Sequence, residues 1–204
     1  YGLTKDYPEI TKNYDGVLVT EDQDVNVQVY YVPNGSNYDI YFLANGKVNL
    51  PVNSKELFYP LSNLQTVDTA NLSTAKVVDM TDLFYNCKKL KSVDVSHWDT
   101  SNVTSMYGTF CNCYVLEELD VSNWDVSKVT NLRALFSNCQ SITSLDVTNW
   151  DTSSATTLHN MFNKCFALEE IKGINNLDTS KVTSLEQTFY GDKSLKNLDV
   201  SNWD

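Results

Sequence analysis

The stretch "LDVSNWDVSKVTNLRALFSNC", Leu119 to Cys139, decides how the rest of the chain is read, because a near copy, "LDVTNWDTSSATTLHNMFNKC", begins 26 residues later at Leu145. Repetition has to be settled before any local motif is trusted, since it determines the kind of fold to expect. The register extends well beyond these two copies. Asp68, Asp94, Asp120 and Asp146 stand 26 apart, as do Leu72, Trp98, Trp124 and Trp150. Phe84, Phe110, Phe136 and Phe162 keep the same step, and so do Cys87, Cys113, Cys139 and Cys165. One extra residue enters at "IKGINNLD", so Leu177 follows Trp150 by 27 before Trp203 restores the period of 26.

Each copy divides into pieces with different periodicities. "EELDVS", Glu117 to Ser122, alternates polar and apolar residues, so a short strand is expected with Leu119 and Val121 inward and Glu118, Asp120 and Ser122 outward. "NWDVS" is rich in turn formers around one aromatic and reads as a corner with the Trp turned in. In "VTNLRALFSNC", Val129, Leu132, Leu135, Phe136 and Cys139 recur at helical spacing, with Thr130 as N-cap and Thr104, Thr156 and Thr183 as its counterparts. One such unit cannot bury both faces alone, and stacking on neighbours solves this. The expected fold class is therefore an α/β solenoid, leucine-rich-repeat-like, with parallel strands on a concave face and short helices opposite.

The expected division is a β-rich N-terminal cap over residues 1–53 and the solenoid over 54–204. The first segment differs in kind. Its alternating stretches "GVLVTEDQDVNVQVYYV" and "NYDIYFLANGKVNLPV" read as strands joined at "PNGSN" and "ANG", where Gly35 and Gly46 suit positive φ. Covering the open apolar end of the repeats is its expected role, and an independent small β-domain is the rival reading. The chain starts with Tyr1 and stops within a repeat at "SNWD", which reads as a piece of a longer protein.

Bulk properties narrow the function. A formal charge of −11 over 204 residues, with a pI near 4.5, sets the chain against polyanions such as nucleic acid. No apolar run reaches membrane-spanning length. Glycine-rich phosphate loops, HExxH and GxSxG are absent from the sequence. The two histidines, His97 and His159, fall at variable repeat positions, and repeated Asp columns give each carboxylate similar surroundings, which suits neither acid–base pair nor nucleophile. No catalytic residue, metal ligand set or cofactor is assigned, and an enzyme is not expected. The cysteine column reads as stacked free thiols, with inter-rung disulfides or structural zinc as rivals. Asp99, Asp125, Asp151 and Asp178 precede Ser- and Thr-rich turns and are read as turn formers, with calcium as the competing use of their oxygens.

The motif "LDVSNWDTSNVTSM…MF…C…L" resembles the BspA-like leucine-rich repeats of bacterial surface proteins from lactobacilli, other Gram-positive bacteria and mycoplasmas. It is carried by "VDVSHWDTSNVTSMYGTFCNCYVL", "LDVSNWDVSKVTNLRALFSNCQSI" and "LDVTNWDTSSATTLHNMFNKCFAL", and covers Ser54 to Asp204. The resemblance implies an extracellular module for adhesion or host interaction on the bacterial cell surface. Its partners would be a host or surface protein or glycoprotein, mucin-like ones included. The candidate binding strip on the concave sheet is Ser92, Asp94, Ser96, Glu118, Asp120, Ser122, Ser144, Asp146 and Thr148. A passive surface-display spacer and a calcium-dependent glycan binder are the alternatives, and a monomer without membrane insertion is expected. Lys172 and Gly173, and Gly191 with Asp192 in place of the Asn-Cys pair, break the uniformity of the strip.

Overall fold

The computed structural model describes residues 28–34 and 37–43 by their backbone, and 47–204 in full. Most of the expected cap, and with it the turns at Gly35 and Gly46, lies outside the described residues. Within it, β1 (Gln28–Asn34) and β2 (Asn37–Leu43) form an antiparallel hairpin in which Gln28 faces Leu43 and Asn34 faces Asn37.

From residue 47 onward the architecture follows from where the peptide groups find partners. Every buried N–H needs an acceptor, and in the Val129–Cys139 segment successive N–H groups take turns. Those of Leu135, Ser137 and Cys139 donate three residues back, to Leu132, Ala134 and Phe136. Those of Leu132, Ala134, Phe136 and Asn138 donate to Thr157, His159, Met161 and Asn163 in the following copy, at 2.7 to 3.3 Å. The same alternation recurs at Met80, Asp82, Phe84 and Asn86, which donate to Ser105, Tyr107, Thr109 and Cys111. Consecutive copies are thus bound to one another residue by residue.

This pattern corrects the expected helices. No α-helix occurs among the described residues; their one helical element is a 3₁₀ turn at Ile174–Asn176. Two residues in each copy are left-handed, Ala134 (φ 54°) and Asn138 (φ 61°) in the third, with Asp82 and Asn86, Gly108 and Asn112, Asn160 and Lys164, and Gln187 and Gly191 as their counterparts. A left-handed L-residue cannot continue a right-handed helix. The segment is therefore a run of tight turns. Such a run brings an apolar side chain inward every third or fourth residue, which is why its spacing imitates a helix. The threonines expected as N-caps do something else. The Thr130 hydroxyl donates to the Thr104 carbonyl at 3.2 Å, Thr156 to Thr130 at 2.9 Å and Thr183 to Thr156 at 3.1 Å, tying copy to copy.

The expected continuous parallel sheet is also absent. Past the hairpin, the strands are β3 (Val48–Asn49), β4 (Thr66–Val67), β5 (Leu72–Ser73), β6 (Ser92–Val93), β7 (Ser144–Asp146) and β8 (Glu170–Lys172). They pair in parallel as β3 with β5, β4 with β6 and β7 with β8, in separate two-stranded sheets. Isolated parallel bridges run from Asn53 through Asp79, Ser105, Asn131 and Thr157 to Ser184. The described chain is mostly coil and turn, so the reading as an α/β solenoid with a concave sheet and helices opposite is withdrawn.

Side-chain ladders supply the core. Phe58, Phe84, Phe110, Phe136, Phe162 and Phe189 stack with centroids 4.7 to 6.2 Å apart. Trp98, Trp124 and Trp150 form a second stack at 6.3 and 6.4 Å. Phe84 meets Trp98 and Phe110 meets Trp124, which joins the two stacks into one apolar column. Leu72 and Leu177 occupy the Trp register and are buried as well. Cys87, Cys113, Cys139 and Cys165 are free, buried thiols whose Sγ–H groups donate to the carbonyls of Phe58, Phe84, Phe110 and Phe136 at 3.1 to 3.3 Å. Burial pushes the Cys87 thiol up to about 12, and those of Cys113, Cys139 and Cys165 well above the ordinary range.

Candidate functional site

The nine residues of the expected strip do not share one sheet. Ser92 belongs to β6, and Ser144 and Asp146 to β7; Asp94, Ser96, Glu118, Asp120, Ser122 and Thr148 fall in coil, an isolated bridge or turns. Ser92, Asp94, Glu118, Asp120, Ser144 and Thr148 are exposed, while Ser96, Ser122 and Asp146 are partly covered. Val93, Leu119 and Leu145 between them are buried.

The strip's carboxylates are engaged in local turns. Asp94 accepts both the amide and the hydroxyl of Ser96, at 3.0 and 2.6 Å, and Asp120 accepts both from Ser122 at 3.0 and 2.7 Å. Asp146 accepts the Thr148 amide at 3.0 Å. The second aspartate of each copy repeats the device: Asp99 with Ser101, Asp125 with Ser127, Asp151 with Ser153 and Asp178 with Ser180. Hydrogen bonds from the residue two further on hold the carboxyls of Asp94, Asp125, Asp146, Asp151 and Asp178 below their usual range. Both aspartates of a copy therefore shape its corners. Among the described residues no group of three or more His, Cys, Asp or Glu side chains is placed to hold a metal ion.

His97 and His159 sit apart, in different surroundings. The His97 ring nitrogen Nε2 lies 2.9 Å from the Thr69 carbonyl, and Nδ1 lies 3.9 Å from the Asp94 carboxylate. His159 Nδ1 lies 3.5 Å from Glu186. Trp124, Trp150 and Trp203 each donate an indole N–H to a backbone carbonyl of the preceding copy, those of Val95, Val121 and Ile174. The equivalent Trp98 N–H is buried without a partner.

Sequence reasoning passed over the copy at Leu185 to Gly191. The alternating donor register that runs through Leu132, Ala134, Phe136 and Asn138, and again through Leu158, Asn160, Phe162 and Lys164, continues at Leu185, Gln187, Phe189 and Gly191. The four N–H groups there have no acceptor among the described residues, although their neighbours Thr188 and Tyr190 close local turns onto Leu185 and Gln187. Beside them Tyr190 is 59% exposed and Leu185 39%. Leu185, Gln187, Thr188, Phe189, Tyr190 and Trp203 line an open depression over this end. The half-buried Phe189 has Phe162 on one face at 5.6 Å, and Trp203 lies 5.8 Å away. Asp192, in the cysteine register, accepts the Cys165 amide at 2.8 Å through Oδ1, while Oδ2 is buried without a partner. Burial pushes this carboxyl up to about 7. In the sequence this copy is marked only by Gly191 and Asp192, which stand where residues 86–87, 112–113 and 138–139 are Asn-Cys.

Fold and site together define, over the described residues, a coil-rich stack of turns without α-helix and with aromatic ladders inside. A family model described as "Mycoplasma protein of unknown function, DUF285" matches residues 52–170 and again 132–204. The chain belongs to that family. No curated protein and no solved structure matches it. The family finding corrects the BspA-like leucine-rich-repeat resemblance: the matching family has no assigned function, and the described residues have neither the helices nor the continuous sheet that the resemblance implied. The adhesion reading built on a concave sheet falls with that sheet, and so do its spacer and calcium-dependent alternatives, which assumed the same solenoid.

Proposed function

We propose that the chain is a non-catalytic protein-interaction module that receives an added polypeptide segment, as a further rung, along Leu185 to Gly191. The observation that carries this reading is the row of backbone donors at Leu185, Gln187, Phe189 and Gly191 beside the exposed Leu185 and Tyr190 side chains. Backbone donors at alternate residues, flanked by apolar side chains, are what an added extended segment needs: the main chain supplies affinity and the side chains supply selection. Supporting the choice of protein over nucleic acid is the net charge of −11, which repels phosphate backbones.

The test is a photo-crosslinking residue placed at position 190, compared with one at position 148 on the corner side, followed by identification of the captured polypeptides. Capture of an identified polypeptide from position 190, lost when Leu185→Arg is added, is the expected result. Capture from position 148 alone, or from neither position, overturns the reading.

A further inference from the structure

Two neighbouring copies differ from the three that follow them at a pair of positions three residues apart. The left-handed position holds Glu56 and Asp82 where the next copies have Gly108, Ala134 and Asn160. Three residues on stand Tyr59 and Tyr85 where those copies have Cys111, Ser137 and Asn163. We propose that this pairing of acid and tyrosine is a binding site for a guanidinium group, the side chain of an arginine on a basic polypeptide, with the N–H fork on Asp82 and the planar face against the tyrosine rings. The site is separate from Leu185 to Gly191 and does not depend on what that row receives.

Local bonding sets the geometry. The Tyr59 amide donates to the Glu56 carbonyl and the Tyr85 amide to the Asp82 carbonyl, both at 3.0 Å, so each tyrosine is tied to its acid. The two rings meet with centroids 5.5 Å apart and a 37° tilt, and Tyr59 is 41% exposed. Gly108 keeps open the space that the Asp82 carboxylate fills, since a methyl group there would overlap it. The two carboxylates differ in what they meet. Glu56 has Lys55 at 3.6 Å. The Asp82 carboxylate has neither a hydrogen-bond donor nor an ion pair among the described residues. Burial, and then the Glu56 charge, push its carboxyl above the ordinary value; Lys55 opposes this and Asp79 adds to it. A cation placed here satisfies the acceptor and offsets the like charge.

A guanidinium on an aromatic ring already occurs in the next copy, where Arg133 Cζ lies 5.9 Å from the centroid of the Tyr107 ring. Arginine offers a flat face for a ring and a fork for a carboxylate, whereas a lysine ammonium offers a point charge. An uncharged ligand can lie on the rings but leaves the Asp82 charge unmatched. The net charge of −11 favours the approach of a basic partner.

The experiment titrates the whole protein with an acetylated, amidated glycine pentapeptide carrying arginine at its centre, read by backbone amide shifts. Peptides with lysine or citrulline in that place are the controls. The arginine peptide should shift the Asp82, Tyr85 and Gly108 amides saturably and bind at least about threefold more tightly than the lysine peptide. The citrulline peptide should leave them unmoved. Asp82→Asn, which keeps the shape and tolerates left-handed backbone, should weaken the arginine peptide about tenfold. Tyr59→Ser removes an exposed ring and should weaken it about threefold with the fold intact. Absence of saturable shifts, equal affinity for arginine and lysine, or an equal response to citrulline overturns the inference. Undiminished binding by either variant does so too, and Tyr59→Ser decides alone if Asp82→Asn fails to fold.

Discussion

Replacing Trp124 tests the core directly. Its side chain is 1% exposed, lies between Trp98 and Trp150 at 6.3 and 6.4 Å, meets Phe110 at 6.2 Å and donates to the Val95 carbonyl at 3.2 Å. Burying a Trp removes about 200–250 Å² from water, worth about 5–7 kcal/mol at 25–30 cal/mol per Å². Trp124→Ala keeps the methyl group and lets the neighbouring rungs close in part of the gap, so a loss of about 3–5 kcal/mol is expected. Trp124→Leu is the informative companion, because Leu72 and Leu177 fill this register elsewhere. It keeps most of the apolar burial and forfeits the ring stack and one hydrogen bond, for an expected loss of about 1–2.5 kcal/mol. Denaturant titration measures both, with the m-value showing whether unfolding stays cooperative. A Trp124→Ala loss below about 1 kcal/mol, or equal losses for Ala and Leu, refutes the ladder as the source of stability.

Other expectations concern strain and charge. Ala134 is left-handed where the preceding copy has Gly108, so Ala134→Gly should stabilise by about 1 kcal/mol in the same titration. The reverse change, Gly108→Ala, should destabilise, because the added methyl would overlap the Asp82 carboxylate. Asp125→Ala should cost about 0.5–1.5 kcal/mol by releasing the Ser127 amide and hydroxyl, whereas Asp125→Asn keeps an acceptor and should cost less. The Asp125 carboxyl is held low by those bonds, so its contribution is present above its ordinary value of 3.8 and lost as pH falls below it. Asp192 has the opposite sign. Burial raises its carboxyl from 3.8 to about 7, so the native state holds the proton more tightly and stability falls as pH rises through that window. Thermal melts of Asp192→Asn should lack this slope. At pH 8 the variant should be about 1–2 kcal/mol more stable than the parent, allowing for solvent screening of a partly exposed group.

The sequence showed the period, and with it which residues face inward. Phe84, Phe110, Phe136, Trp98, Trp124 and the cysteines all recur at one step, and a side chain that recurs at the step of a stack must meet its own copies. Backbone conformation was not legible in the same way. Val129, Leu132, Leu135, Phe136 and Cys139 are spaced as on a helix, yet Ala134 and Asn138 are left-handed. Ala134 gives no local warning, because alanine favours helix and is held here by the bonds to His159 and from Ser137. A better cue stood in the neighbouring copies, where Gly108, Asn160, Asn86 and Asn112 fill the left-handed registers with the residue types that tolerate them. The acidic strip misled for a related reason. Alternation placed Asp94, Asp120 and Asp146 outward, but a serine or threonine two residues on captures each carboxylate into a turn. The donor row at Leu185 to Gly191 leaves no mark in the sequence, because these amides differ from their counterparts only in what lies opposite them.

Residue-resolved hydrogen exchange across Val129 to Cys139, compared with Leu185 to Gly191, tests the copy-to-copy stack of turns most directly. The account predicts protection of Leu132, Ala134, Phe136 and Asn138, whose N–H groups donate into the following copy, and rapid exchange at the equivalent Leu185, Gln187, Phe189 and Gly191. It also predicts positive-φ chemical shifts at Ala134 and Asn138. Helical shifts at Ala134 and Asn138, with protection alike at residues 132–139 and 185–191, would contradict it, because amides bonded within a helix need no neighbouring copy.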